Sequence, residues 1–568
     1  MKNYNKYKRL YDWKRPNERK WTDKEITKAP IWCSVDLRDG NQALAIPMSL
    51  KDKIELFNYL VSIGVKEIEI GFPAANEIEY QFARCLIEND MIPKDVTIQV
   101  ITQAKKEMIE KTFEALKGAR KAIVNYYNSI SKKQREVVFR KDKEAIKQIA
   151  VIGAKTMVEC SNKYSNTEWQ FEYSAESFTN TEMDYAIDVI NTVLKEWKDK
   201  TKLKPIINLP ATVECSTPNI FADQIEYICE NIKNREDVII SIHTHNDRGT
   251  ANASAELGLL AGAERVECTL FGNGERTGMS DLVTLALNLY VTGVDPQLDF
   301  SQIKKAKFVY ESSTNMKVPP RQPYAGELVF TAFSGSHQDA ISKGLKYIKD
   351  NPNDYWEVPY LPINPEDINR QYEPIIRINS QSGKGGVAFI LETEFGYEIP
   401  KIMQNEIGNY FKVITEKNEK ELSNDEIYSK FSKEYKNRCD TIKIKKYKSK
   451  NAGNLTIIDL EYTINGEVKN RTKSGNGPIA AFIELLKDEG YECQVINYIQ
   501  KSLNENNEKS EVVTYVKIKS KDKYIWGIGQ DSDATKAGFK SVTSALNRMI
   551  KEEQNIWLKY LQLEIKMV

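Results

Sequence analysis

The sequence contains three histidines, His243, His245 and His337, and the first two stand one residue apart directly after the apolar run Val238-Ile239-Ile240-Ser241-Ile242. Residues i and i+2 of a strand share a face, so both imidazoles can converge at the end of a buried element. Convergent imidazole nitrogens suit a metal ion; two hydrogen-bonded histidines with a structural role are the competing reading. A second apolar run ends in Asp36-Leu37-Arg38-Asp39-Gly40-Asn41-Gln42. Asp39 could complete an Asp-His-His site, leaving coordination positions open for a carbonyl and water, which is the Lewis-acid arrangement. Arg38 would then stabilise developing oxyanion charge. Read alone, Asp39-Gly40-Asn41 is ordinary turn chemistry.

The elements that must position these residues are short apolar runs alternating with helix-like periodicity, as at 49–63 and 250–263, a βα pattern. Eight strands are expected, at 31–37, 67–71, 96–102, 122–127, 156–161, 205–212, 238–245 and 265–272. Eight parallel strands in about 250 residues match a (β/α)8 TIM barrel, whose chemistry gathers at the C-terminal strand ends. Asn125 and Tyr127 fall at the end of strand four, Ser174 and Glu176 in the long loop after strand five, and Thr212 after strand six. The turn Gly272-Asn273-Gly274-Glu275-Arg276-Thr277-Gly278 lacks the strand-one setting of a dinucleotide fingerprint.

Beyond the barrel, residues 318–374 are rich in Pro, Tyr and Asn and read as a linker. Two related units follow, at 455–486 and 512–550, each predicted as two strands, a Gly-containing turn and a helix. They suggest a duplicated C-terminal α+β domain. Lys plus Arg total 81 and Asp plus Glu 80, so no bulk attraction to nucleic acid or anionic membrane follows. No apolar run reaches the roughly 18 residues of a membrane span. The eight cysteines are scattered without a CxxC pair, which predicts neither a disulfide framework nor a zinc knuckle and fits a reducing cytoplasm.

The motifs at 36–42, Leu209-Pro210-Ala211-Thr212-Val213-Glu214, His243-Thr244-His245-Asn246-Asp247-Arg248-Gly249, 271–278 and Ser334-Gly335-Ser336-His337-Gln338-Asp339-Ala340 together resemble the 2-isopropylmalate synthase family in its longer form. That resemblance implies condensation of acetyl-CoA with 3-methyl-2-oxobutanoate to give 2-isopropylmalate and CoA, the first committed step of leucine biosynthesis. It implies a divalent metal (Mg²⁺, Mn²⁺ or Zn²⁺) on Asp39, His243 and His245, with Arg38 holding the alkoxide and Glu176 as the candidate general base. Ser174 and Thr212, with Asn125 and Tyr127 beside them, would hold the oxo-acid. His337 and Tyr360 match linker positions implied to reach the partner subunit's barrel in a homodimer. Gly475, Gly477 and Ala480 match positions implied in binding leucine as feedback inhibitor. The expected division is an N-terminal arm (1–30), a catalytic barrel (31–305), linker subdomains (306–425) and a C-terminal regulatory domain (426–568).

Two positions depart from the pattern. Asn125 stands where the family usually has His, and Met279 where it usually has Asn near the metal. Asn cannot titrate near neutral pH, and a thioether is a poor ligand for Mg²⁺ or Mn²⁺. A homocitrate, citramalate or other alkylmalate synthase would use the same triad with another side-chain pocket; Ile101 at the end of strand three favours an aliphatic oxo-acid. A barrel lyase or aldolase, and a sensor that kept the fold without turnover, are the readings from other classes.

Overall fold

The computed structural model describes residues 15, 17–332, 334–372, 384–418, 422–503 and 511–567. It divides into two compact units, Met1–Phe330 with Leu361–Tyr372, and Thr331–Tyr360 with Glu373–Val568.

The first unit is a closed barrel of eight parallel strands, β1 (Ile31–Ser34), β2 (Glu67–Glu69), β3 (Thr97–Gln103), β4 (Lys121–Ser129), β5 (Glu168–Glu176), β6 (Ile206–Ala211), β7 (Ile239–Thr244) and β8 (Arg265–Cys268), with β8 closing onto β1. Helices return the chain between strands. The first, Leu50–Ser62, starts at a capping box in which Ser49 and Asp52 satisfy each other's backbone N–H groups. Of the expected arm at 1–30, residues 1–14 and 16 lie outside the described part. Its described part is tied to helix Pro218–Asn231 by Arg19 to Asp223 at 2.8 Å and Arg15 to Glu226 at 2.8 Å.

One expected strand is corrected. Residues 156–161 lie inside helix Lys143–Lys163, where buried Ile146, Ala150, Ala154, Met157 and Cys160 recur at helical spacing. The fifth strand is Glu168–Glu176, so Ser174 and Glu176 sit on a strand and not in a loop. Its alternation explains the misreading. Trp169, Phe171, Tyr173 and Ala175 are buried on one face, and Phe171 and Tyr173 pack among the aromatic rings of Trp197 and Tyr126. On the other face Glu172 reaches Arg265 across the barrel, and Ser174 meets Asn208 on the neighbouring β6. The interior of this barrel is polar, so an inward face reads in sequence as a solvent face.

In the second unit, helices Gly335–Asp350, Lys384–Thr393, Lys401–Asn418 and Asn424–Tyr435 precede two antiparallel sheets. One contains β9 (Ile442–Ala452), β10 (Leu455–Ile464) and β11 (Glu467–Gly475), followed by helix Pro478–Asp488. The other contains β12 (Gln494–Leu503), β13 (Glu511–Ser520) and β14 (Lys523–Asp531), followed by helix Ala534–Met567. The two related units are therefore each one strand longer than expected. β9 escaped notice because its lysines face solvent along a strand that pairs with β10. Both units feed one core, in which Leu460, Phe482 and Leu485 meet Val516, Phe539 and Leu546.

Candidate metal centre and active site

Beyond Ser34 the chain winds into a tight turn at Asp36–Gly40, in which the N–H groups of Asp39 and Gly40 both donate to the carbonyl of Val35. Asp36 anchors the turn by accepting from the Leu270 N–H at 3.0 Å and from the Ser34 hydroxyl at 2.8 Å. Asp39 is thereby aimed at the end of β7. Its Oδ2 lies 3.1 Å from His243 Nε2 and 3.7 Å from His245 Nε2, and the two Nε2 atoms are 3.3 Å apart. The three ligating atoms lie within 4.8 Å of one another, and all three residues are buried.

The outer nitrogens fix the inner ones. His243 Nδ1 donates to Glu267 Oε2 at 2.8 Å and His245 Nδ1 to the Gly278 carbonyl at 3.2 Å, so that once Nε2 gives up its proton, as metal ligation requires, both Nε2 lone pairs are turned toward Asp39. Two lone pairs and a carboxylate converging on one point are a donor set that a divalent cation satisfies, and carboxylate-supported histidines are the usual outer shell of such a site. The electrostatics follow from the same contacts. Burial disfavours charge on His243, but hydrogen bonds to Asp39 and Glu267 outweigh it and raise its pKa to about 9. His245 is lowered to about 4 by burial and by the neighbouring His243 charge. Burial opposes ionisation of Asp39, yet Arg38 and His243 hold its carboxyl well below the usual range.

The triad opens onto a cavity of about 240 Å³. Arg38, Asp39, Asn125, Tyr127, Ser174, Glu176, Thr212, His243 and His245, all singled out in the sequence, line it, as do Ile101 and Phe72. Arg38 pairs with Glu69 and lies 3.3 Å from Asp39. Glu176 carries a pKa raised by burial. Thr212 Oγ1 accepts the Ser177 N–H at 2.8 Å, which leaves its own proton for the cavity. The Ser174 hydroxyl is engaged by Asn125 Oδ1 at 2.9 Å. A larger cleft of about 500 Å³ lies at the N-terminal strand ends beside Lys24 and Trp32; it has no convergent carboxylate and imidazole groups and lies on the face that barrels use for stability.

His337 and Tyr360 belong to the second unit, where their rings stack 4.0 Å apart and both are exposed. Gly475 and Ala480 line a separate cavity of about 610 Å³ walled by Ile479, Ile483 and Val495. Gly477 adjoins it, N-capping helix Pro478–Asp488. Met279 packs with Cys33 and Val35 in a small apolar cluster, and its thioether is a poor ligand for Mg²⁺ or Mn²⁺.

Several residues of the site were not singled out from the sequence: Glu69, Gln99, Asn208, Arg265 and Glu267. Their signal was the alternation Arg265-Val266-Glu267-Cys268 in a strand short enough to pass as apolar. Parts of the recognised motifs, by contrast, brace loops. Glu214 accepts the Arg248 and Thr250 N–H groups, and Asp247 pairs with Arg276 at 2.7 Å.

Three family models match the chain: HMGL-like over residues 29–309, the alpha-isopropylmalate synthase post-catalytic domain-like family over 327–392, and the LeuA allosteric (dimerisation) domain over 421–550. A 2-isopropylmalate synthase of Clostridium acetobutylicum is 52% identical over 96% of this chain and 99% of its own length. Those of Acetoanaerobium sticklandii and Desulfitobacterium hafniense are 50% and 49% identical, each over 97% of this chain and 98% and 99% of their own lengths. Among the described residues, no helix is long and apolar enough to cross a membrane. A polar barrel mouth built around Asp39, His243 and His245, a match to the LeuA allosteric (dimerisation) domain later in the chain and relatives matched nearly end to end place this chain in the 2-isopropylmalate synthase family.

Proposed function

We propose that this enzyme condenses acetyl-CoA with 3-methyl-2-oxobutanoate, and hydrolyses the resulting thioester to release 2-isopropylmalate and CoA. The observation that carries the reading is the convergence of Asp39, His243 and His245 with Arg38 and Glu176 on one small cavity with an Ile101 and Phe72 wall. A divalent metal held by Asp39, His243 and His245 would supply Lewis-acid polarisation of the oxo-acid.

This chain's own residues account for the remaining demands. Glu176, a carboxylate whose basicity is raised by burial, takes the proton from the acetyl methyl group. The methyl carbon then bonds to the ketone carbon, and the Arg38 guanidinium balances the charge that arrives on the former ketone oxygen. The free proton of Thr212 and the donors around Asn125 hold the oxo-acid carboxylate, while Ile101 and Phe72 fit its aliphatic branch. Tyr127 closes the side of the cavity next to Asn125. In the homodimer, His337 and Tyr360 of one subunit's linker complete the barrel of the other, their exposed stacked rings being available for that role.

Leucine binding at Gly475, Gly477 and Ala480 is the proposed control. Helix Pro478–Asp488 has no side chain capping its N-terminus, leaving N–H groups for a carboxylate. Gly477 has an extended backbone, and a Cβ there would meet nothing within 4 Å, so neither strain nor packing within the chain requires glycine. Room for a ligand is the reading that this open space supports.

The test is CoA release from acetyl-CoA, with added divalent metal, against 3-methyl-2-oxobutanoate, pyruvate, 2-oxobutanoate and 2-oxoglutarate, with and without leucine. Preference for 3-methyl-2-oxobutanoate and inhibition by leucine are expected. Preference for another oxo-acid would reassign the substrate, and insensitivity to saturating leucine would remove the regulatory role.

A further inference from the structure

From Arg265 and Gln99 beneath the cavity to Glu267, Asn208, Ser174 and Asn125 in its wall runs a continuous chain of hydrogen bonds in which no residue is more than 6% exposed. One end dictates its polarity. A guanidinium can only donate, so Arg265 Nη2, 2.6 Å from Gln99 Oε1, orients the Gln99 amide. Its nitrogen then donates to Glu267 Oε1 at 3.0 Å, an oxygen that also receives Arg265 Nη1 at 3.2 Å. Ringed by donors, Glu267 accepts through its other oxygen from Asn208 Nδ2 at 3.0 Å. That contact fixes the Asn208 amide, whose second N–H donates to Ser174 Oγ at 3.0 Å. The Ser174 O–H donates in turn to Asn125 Oδ1 at 2.9 Å. Asn125 Nδ2 is left without a partner although Asn125 is only 1% exposed, and Asn125 borders the cavity. A buried donor with nothing to bond is costly and marks a place that a ligand atom completes.

We propose that Asn208 and Ser174 are positioning residues that hold the Asn125 amide nitrogen toward the cavity, so that Asn125 selects a ligand oxygen that accepts, as the carboxylate or ketone of a 2-oxo acid does. The inference rests on the oxo-acid reading of the cavity and deepens it. By itself an asparagine offers either a donor or an acceptor; here the choice is made by the Glu267 carboxylate, three residues along the chain of bonds and itself surrounded by the Arg265 and Gln99 donors.

The test is a double-mutant cycle in the full-length, metal-loaded enzyme, reading Kd for 3-methyl-2-oxobutanoate by calorimetry and KM for acetyl-CoA by CoA release. Asn125→Ala and Asn208→Leu should each raise the oxo-acid Kd about 10-fold, the worth of one buried hydrogen bond, with acetyl-CoA KM nearly unchanged. Combined, they should cost no more than Asn125→Ala alone, because Asn208 acts through Asn125. Asn125→Asp, which exchanges donor for acceptor, should weaken the oxo-acid more than Asn125→Ala. Additive effects, a parallel rise in acetyl-CoA KM, or undiminished affinity in Asn125→Asp would overturn the proposal. If Asn208→Leu fails to fold, Ser174→Ala takes its place in the cycle with the same expectation. A wild-type chain that binds the oxo-acid with this pattern yet releases no CoA would remove the condensation reading and uphold this one.

Discussion

Alternate residues of β3, β5, β6 and β8 point Gln99, Glu172, Asn208, Arg265 and Glu267 into the barrel, all but unexposed, whereas the core shared by the two C-terminal sheets is Leu460, Phe482, Leu485, Val516, Phe539 and Leu546. The same two-residue strand period builds two kinds of interior. In the barrel each charge has lost its water and needs a specific partner: Arg265 faces Glu67 at 2.6 Å, Glu267 at 3.2 Å and Glu172 at 3.4 Å. Such a network fixes orientation as well as volume, which is what the roles proposed for Asp39, His243 and Asn125 would require. An apolar core fixes little more than volume and tolerates repacking, which suits the regulatory role proposed for this domain.

Changes on the polar side should sharpen this contrast most. Asp39→Ala removes a convergent ligand and should lower metal-dependent CoA release by at least about 10³-fold, the upper end of what one preorganised electrostatic group supplies; leucine affinity, read by calorimetry, should not move. Arg265→Met leaves Glu172 and Glu267 facing each other without their cation. It should cost about 3–5 kcal/mol of barrel stability in denaturant unfolding, and a cost below about 1 kcal/mol would mean that the network is not tightly coupled. On the apolar side, Leu485→Ala should cost about 2–5 kcal/mol, confined to the C-terminal unit, with kcat in the absence of leucine retained. Smallest is a pH effect. Burial raises the Glu176 carboxyl, and the base must be deprotonated, so the acid limb of kcat/KM should lie above the ordinary Glu value of about 4.3. Glu176→Gln should abolish that limb.

The contrast also explains which features were legible in the sequence. The barrel, the His243 and His245 pair and Asp39 followed from apolar runs and same-face spacing. β5 did not, because Gln170, Glu172, Ser174 and Glu176 make its inward face look solvated, and helix Lys143–Lys163 offered the more apolar run. The supporting residues Glu267, Asn208 and Gln99 lie on different strands, and only closure of the barrel brings Gln99 and Asn208 each to 3.0 Å from Glu267. β9 was hidden by its lysines and β12 by its half-exposed alternation. Polar residues on strands thus carry either solvent faces or sites, and sequence periodicity alone does not separate the two.

The proposed reaction is a carbon–carbon condensation at the polar barrel mouth, carried by Asp39 and its neighbours. It is tested most directly by incubating the metal-supplied protein with acetyl-CoA labelled with ¹³C at the methyl carbon and 3-methyl-2-oxobutanoate, and following the label by NMR. The methyl resonance should give way to a methylene resonance of 2-isopropylmalate with the wild-type chain and stay unchanged with Asp39→Ala. A label that remains on the methyl group with the wild-type chain, or that moves at the full rate with Asp39→Ala, would contradict the account.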